Sequence, residues 1–182
     1  MLVALGGNVT SSFGSPAQTL LKALEKLENE SFQVSTQSGF FTTPSFPPGS
    51  GPDFVNAVAC YVTSFSAPRV LAHLHAVEKA FGRDRKTRWA PRTLDLDLLF
   101  YGDTILPDAA TVQAWIDMPI ARQTQEVPPE LLLPHPRIQD RAFVLVPLAQ
   151  VAPDLRHPLT GKTVQEMLSA LPAEDKAQIR PM

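Results

Sequence analysis

The chain is poor in cysteine and in long apolar runs. Its single cysteine, Cys60, cannot form an internal disulfide. No apolar run approaches the roughly 20 residues that a membrane-spanning helix needs. The first residues also lack a basic start followed by an apolar stretch, because Gly6-Gly7-Asn8 interrupts them, so no signal peptide is expected. These absences predict a cytoplasmic protein that has no membrane partner.

The chain also lacks an excess of charge of either sign. The formal net charge is −2, so nucleic acid is not the expected partner. Five basic residues are nevertheless concentrated between Arg83 and Arg92. This local cluster indicates a small anionic ligand. The length of 182 residues suits a single domain, 1–182.

Apolar periodicity and capping signals predict the element order β-α-β-β-α-β. A capping box at Ser15-Pro16-Ala17-Gln18 predicts a helix that runs to about Asn29. Strands are expected over 2–5, 33–43, 54–63 and from residue 94 onwards, with a second helix after Ser66. This order is the split βαβ arrangement of ferredoxin-like folds, an α+β class with a mostly antiparallel sheet and helices packed on it. Residues 142–147 are expected to be strand-like.

The most informative segment places two aspartates one residue apart on a predicted strand. From Leu94 the residues alternate, so Asp95 and Asp97 share one face while Leu96 and Leu98 face a core. Carboxylates about 7 Å apart along a strand can hold hard cations. Arginines close by would bind phosphate, so the segment suits a nucleoside triphosphate with magnesium.

A simpler interpretation of this segment stays open. An alternating Asp-Leu strand could be amphipathic, with its aspartates in water and neutralised by Arg88 and Arg92. That interpretation leaves Trp89 unexplained, because a tryptophan in an arginine-rich loop is more useful as a lid over a flat ligand.

The segment Arg88-Trp89-Ala90-Pro91-Arg92-Thr93-Leu94-Asp95-Leu96-Asp97 closely resembles the signature of 6-hydroxymethyl-7,8-dihydropterin pyrophosphokinases. Further blocks match the same family in the same order and span most of the chain: Ala4-Leu5-Gly6-Gly7-Asn8, Pro52-Asp53-Phe54-Val55-Asn56-Ala57, Pro134-His135-Pro136-Arg137 and Asp140-Arg141-Ala142-Phe143-Val144-Leu145. A match of this length is more specific than a lone motif.

The resemblance implies transfer of pyrophosphate from ATP, the co-substrate, to the hydroxymethyl group of a reduced pterin, with release of AMP. It implies that Asp95 and Asp97 hold two Mg²⁺ ions and that Arg83 and Arg92 act on the transferring group. The expected nucleotide contacts are His75, Glu78, Arg85, Arg88, Trp89, His135 and Arg141. For Glu78, a solvated position on a helix face is an equally good interpretation.

The pterin contacts implied by the resemblance are a stacking pair, Phe54 and Phe143, and an edge-reading amide, Asn56. Thr43 and Pro44 would contribute backbone contacts at the rim, and Trp89 would cover the ring. Without the resemblance, Phe54 and Phe143 would be interpreted as core residues.

Two features depart from the family pattern. Ala90 stands where the family typically has glycine, which would strain or slow a closing loop. The segment 103–133 is much longer than usual and is expected to be an insertion packed on the surface; a cover for the nucleotide site is the alternative.

Other functions are also compatible with an Asp-x-Asp pair. In a metal-dependent nucleotidyltransferase, Asp95 and Asp97 would hold metal ions while the substrate attacks the α-phosphorus and releases pyrophosphate. The Gly-Ser turn and helix expected shortly before such a pair are missing from this chain. A catalytically silent pterin- or nucleotide-binding module would not need two carboxylates beside phosphates. The chain is expected to act as a monomer.

Overall fold

Six strands and seven helices occupy residues 1–45, 51–83, 92–123 and 125–182, the part of the chain that this computed structural model describes. In chain order they are β1 (Leu2–Gly7), α1 (Pro16–Leu27), β2 (Phe32–Gln37), β3 (Phe41–Thr43), β4 (Phe54–Thr63), α2 (Ala67–Ala80), β5 (Asp95–Phe100), α3 (Ala109–Asp117), α4 (Ile120–Gln123), α5 (Ala142–Val151), α6 (Val164–Ala170), α7 (Ala173–Ala177) and β6 (Arg180–Pro181). Within these residues no helix is long and apolar enough to cross a membrane.

The strands form one sheet in the order β5-β1-β4-β3-β6, and β2 also pairs with β4. Every pairing is antiparallel. The chain therefore crosses from β1 through α1 to β2, with β4 lying between these two strands. This topology confirms the expected ferredoxin-like α+β fold.

Local signals account for the ends of the helices. The Ser15 hydroxyl accepts from the Gln18 N–H while the Gln18 side chain accepts from the Ser15 N–H, which completes the predicted capping box, and α1 ends at Leu27. Thr163 and Glu166 form a second capping box at the start of α6. Gly82 follows α2 with φ +79°, a conformation that glycine adopts without steric cost.

Both faces of the sheet are covered, which makes the domain three layers deep. Val3, Leu5, Leu96 and Leu98 pack against α1 and α2 on one face. Leu2, Val58 and Leu99 pack against α5 and α6 on the other. Asp95, Asp97 and Asn56 also belong to this second face.

Two expectations about secondary structure were wrong. Residues 142–147 belong to helix α5 and not to a strand. The helix is enclosed between the sheet and α6, so its residues are apolar on most sides and carry no helical period to distinguish them from a strand. The expected single strand 33–43 is two strands. At Ser38, between them, the side-chain hydroxyl donates to the Gly39 carbonyl and accepts the Val58 N–H, so a side chain takes the place of a backbone group in the ladder.

Candidate active site

The two aspartates lie on the sheet face that α5 partly covers. In the register, Asp95 pairs with Gly6, and Gly6 pairs on its other side with Asn56. Asp97 pairs with Ala4. Since directly paired residues point to the same side of a sheet, Asp95, Asp97 and Asn56 share one face. The intervening Gly6 and Ala4 are small, so no large side chain stands between the carboxylates and the amide on this face.

Gly6 and Gly7 are needed for this close packing. A Cβ on Gly6 would lie 3.0 Å from Oδ1 of Asn56, and a Cβ on Gly7 would lie 2.6 Å from the carbonyl oxygen of Thr93. The second distance is shorter than real Cβ contacts allow. The pair of glycines therefore lets the start of β5 approach β1 while Asn56 keeps its position.

Arginines neutralise both carboxylates. Arg83 and Arg92 each form an ion pair with Asp95. A guanidinium nitrogen of Arg141 lies 3.7 Å from an oxygen of Asp97. The Asp97 side chain is 40% exposed and the Asp95 side chain 18%. Both aspartates thus keep some exposed surface, but each is paired with arginine and neither is surrounded by water alone.

Glu78 is buried beside the site, with 1% of its surface exposed, so the alternative of a solvated helix face does not hold. Its expected nucleotide contact stays a prediction. Its Oε1 accepts the backbone N–H of Leu96 at 2.8 Å and pairs with Arg83. Glu78 therefore holds Arg83 against the start of β5, and Arg83 in turn reaches Asp95.

A cleft of about 490 Å³ runs beside β5, which stands at one end of the strand order. Its polar lining includes Arg83, Asp97, Arg137, Arg141, His75 and His135. Its apolar lining includes Leu71, Leu96, Leu98, Trp115, Leu131 and Leu132. One cavity therefore combines cationic groups and three carboxylates, those of Asp97, Glu126 and Glu130, with apolar walls, as small-molecule sites often do.

His135 presents a neutral imidazole to this cleft. Burial, followed by the positive charges of Arg141 and Arg137, lowers its pKa far below the usual value, although part of the residue still touches solvent. Its Nδ1 accepts the Arg137 N–H at 3.2 Å, so in the neutral ring Nε2 carries the proton. His135 can therefore donate a hydrogen bond to an anion without adding charge.

The residues expected to contact the pterin lie on the same sheet face as the aspartates or beside it. Asn56 and Thr43 are buried, and the Asn56 amide nitrogen donates to the Thr43 hydroxyl at 2.8 Å. Phe54 is two residues from Asn56 on β4, shares its face, and is partly exposed. Phe143, on α5, is 39% exposed, so neither ring is a fully buried core residue. Pro44 is exposed at the end of β3.

Asn8 is a structural residue of the site to which the sequence assigned no role. Its backbone N–H donates to the Arg92 carbonyl, and its Oδ1 accepts the Arg92 N–H, both at 2.9 Å. Its Nδ2 donates to the Pro52 carbonyl at 3.2 Å. Asn8 thus ties the backbone of Arg92 to the segment before Phe54. Its place at the end of the Gly6-Gly7-Asn8 turn was the available signal.

Three residues of the expected site, with the neighbouring Ala90, belong to one segment that the structure does not describe. Arg85, Arg88, Trp89 and Ala90 lie outside the described residues. The expected contacts of these side chains, and the effect of alanine in place of glycine, stay predictions.

The segment 103–133 contributes to the cleft. Trp115, Glu126 and residues 128–132 line it together with Asp97 and Arg141. Part of the segment therefore faces a cleft. The expected surface packing of the insertion, and the alternative of a cover for the nucleotide site, stay predictions.

The comparisons with known proteins point to one family. A family model described as 7,8-dihydro-6-hydroxymethylpterin-pyrophosphokinase (HPPK) matches residues 2–153. The 2-amino-4-hydroxy-6-hydroxymethyldihydropteridine pyrophosphokinase of Pseudomonas aeruginosa is 38% identical over 172 residues, which cover 94% of this chain and 91% of the relative. The protein of the same name from Synechocystis sp. is 37% identical over 168 residues, which cover 92% of this chain and 73% of the relative.

A solved structure with a similar fold is wild-type HPPK-DHPS of Plasmodium falciparum. It superposes with a TM-score of 0.62 at 12% identity, over 92% of this chain and 44% of that one. At this identity the likeness supports the fold alone, and the chain spans less than half of the solved protein.

Proposed function

The chain belongs to the 7,8-dihydro-6-hydroxymethylpterin-pyrophosphokinase family, and we propose that its cleft transfers pyrophosphate from ATP to 6-hydroxymethyl-7,8-dihydropterin. The products are AMP and the pterin diphosphate, and the reaction belongs to folate biosynthesis. One observation carries this proposal. Asp95 and Asp97 share a sheet face with Asn56 and Phe54 and are surrounded by arginines. A phosphate-binding region thus adjoins a surface that can receive a flat heterocycle.

The donor set fits Mg²⁺. Two carboxylates on one face supply hard oxygen ligands, and the described residues contain no group of three His, Cys, Asp or Glu that could hold a metal alone. Mg²⁺ usually takes only one or two carboxylates and completes its shell with water and substrate phosphates. Asp95 and Asp97 would hold two such ions in the ATP complex. When bound, the ions would neutralise phosphate charge and acidify the attacking hydroxyl.

The protein side chains orient the transfer. The pterin hydroxymethyl oxygen bonds to the β-phosphorus of ATP and releases its proton to solvent, and the bond from the β-phosphorus to the oxygen bridging to the α-phosphorus breaks. That oxygen leaves with AMP. Arg83 and Arg92, paired with Asp95 in the free protein, would exchange that carboxylate for the β- and γ-phosphates of bound ATP. Arg141 would exchange Asp97 for phosphate in the same way.

His135 and His75 complete the nucleotide contacts in this proposal. The neutral His135 ring would donate from Nε2 to a phosphate or sugar oxygen. His75 lines the same cleft from α2. Both rings add directional hydrogen bonding where the arginines add charge.

The pterin would occupy the space above Gly6, with Asn56 at its edge. The Asn56 amide nitrogen is already paired with Thr43, so its oxygen is oriented and can accept from a pterin N–H. Phe54 and Phe143 would contact the two ring faces, with Thr43 and Pro44 at the rim.

The products distinguish the proposal from its rivals. We expect AMP and a pterin diphosphate when the purified protein, ATP, Mg²⁺ and the pterin alcohol are separated by anion-exchange chromatography. Release of pyrophosphate with a nucleotidylated pterin would instead indicate nucleotidyl transfer, which the comparisons do not support. Binding without product would indicate a silent module. A monomeric state and a cytoplasmic location stay predictions.

A further inference from the structure

The segment 103–133 is pinned to the domain at both ends. Leu106 and Leu133 exchange two backbone hydrogen bonds of 2.9 and 3.0 Å, and Leu133 is fully buried in the core that α1 and α2 cover. Two residues later, the His135 N–H donates to the Leu99 carbonyl of β5 at 2.9 Å. The segment therefore leaves the edge of the sheet and returns to it at a fixed place.

Helix α3 within this segment is also anchored. Its N-cap, Asp108, accepts the Thr111 N–H at 2.9 Å. Val112, one turn into the helix, has no exposed surface. Trp115 follows Val112 by three residues, so it lies on the neighbouring part of the same helix face. An anchored helix thus presents a half-buried indole to the cleft.

Part of the apolar lining of the cleft lies away from Arg83. Leu71 precedes Glu78 by seven residues on α2, which is about 10 Å along the helix axis. Glu78 holds Arg83 at the start of β5, whereas Leu98 lies further along that strand. The cleft therefore extends from Asp97 and Arg83 past Leu71, and Trp115 lines it together with Glu126 and Glu130.

We infer that Trp115 is a nucleotide-positioning residue that stacks against the adenine base of ATP. The inference rests on the proposed function for the location of the triphosphate. With the phosphates at Asp97 and Arg83, the base extends past Leu71 into the rest of the cleft. A flat aromatic base gains most from an aromatic face, and of the described lining residues Trp115 has the largest.

Binding measurements with two probes test this inference. The probes are α,β-methylene-ATP and inorganic tripolyphosphate, each with Mg²⁺, and the affinity is measured by calorimetry. Trp115→Ala should weaken binding of the nucleotide analogue on the order of tenfold and leave tripolyphosphate binding unchanged, because only the analogue carries a base. Trp115→Phe should restore most of the loss, since it keeps a flat ring.

Gln113→Ala is the matched control on the same helix. It removes the exposed hydrogen bond from Gln113 to Asp117 and does not alter the cleft lining, so both probes should bind as to the parent. Unchanged affinity of Trp115→Ala for the analogue overturns the inference. An equal loss for both probes also overturns it, because Trp115 would then only support the wall.

Failure of the proposed function gives a different result. A parent protein that binds the analogue and yields no AMP from ATP and the pterin alcohol refutes the reaction, while the Trp115 comparison still decides the stacking. A parent protein that binds tripolyphosphate as tightly as the analogue refutes the stacking alone.

Discussion

Asp97→Asn separates catalysis from stability in this protein. Asn has nearly the same shape as Asp and removes one negative oxygen. In the structure this loses one ion pair of 3.7 Å with Arg141 from a side chain that is 40% exposed. Such an exposed pair contributes about 0–1 kcal/mol to the free energy of unfolding. For a chain of this size the midpoint of thermal unfolding should fall by about 4 °C at most.

The effect on turnover should be far larger. If Asp97 holds Mg²⁺ as proposed, its loss removes charge stabilisation from the transition state. A loss of about 4 kcal/mol corresponds to a fall in kcat of roughly a thousandfold. The assay follows AMP formation at saturating ATP, pterin and Mg²⁺, beside a thermal unfolding curve for each variant.

Asp103→Asn is the control for this substitution. Asp103 is exposed just after the far end of β5, so its variant should match the parent in both measurements. Turnover of Asp97→Asn within tenfold of the parent would refute the role of this carboxylate. A large loss of stability would mean that the lost activity reports unfolding.

Three further predictions follow from other residues. Glu78→Gln keeps an acceptor for the Leu96 N–H and removes the charge that faces Arg83. Urea denaturation should therefore show a free energy of unfolding that is lower by about 1–3 kcal/mol, and parent-like stability would contradict the buried pair. Phe54→Ala and Phe143→Ala should each weaken pterin binding by about 1–3 kcal/mol in calorimetry with little change for ATP, and unchanged pterin affinity would return both rings to a packing role. Burial lowers the pKa of His157, and the pKa of His135 is also lowered, so the unfolded chain takes up both protons first and stability should fall as pH drops below about 6.5. His157→Asn keeps an acceptor for the Leu159 and Thr160 N–H groups and should reduce that slope, and an identical slope would contradict the contribution of His157.

Local pattern was enough for the parts of the fold that depend on neighbouring residues. The capping box at Ser15 predicted the start of α1, and the alternation after Leu94 predicted that Asp95 and Asp97 share a face. Both patterns act through side chains within three residues of each other, so the surrounding fold does not change them. Helix α5 shows the limit, because its apolar run has no period until the sheet and α6 enclose it.

The sequence by itself determined the family, the order of the core elements and the acidic pair on β5. Only the tertiary structure decided which distant residues meet that pair. Glu78 became a buried partner of Arg83 because α2 packs against β5, and Asn8 joined Arg92 to Pro52 across 84 and 44 residues. Trp115 lines the cleft on a segment whose two ends are held together by the Leu106–Leu133 pair. These contacts depend on long-range packing, which leaves no periodic or spacing signal in the chain.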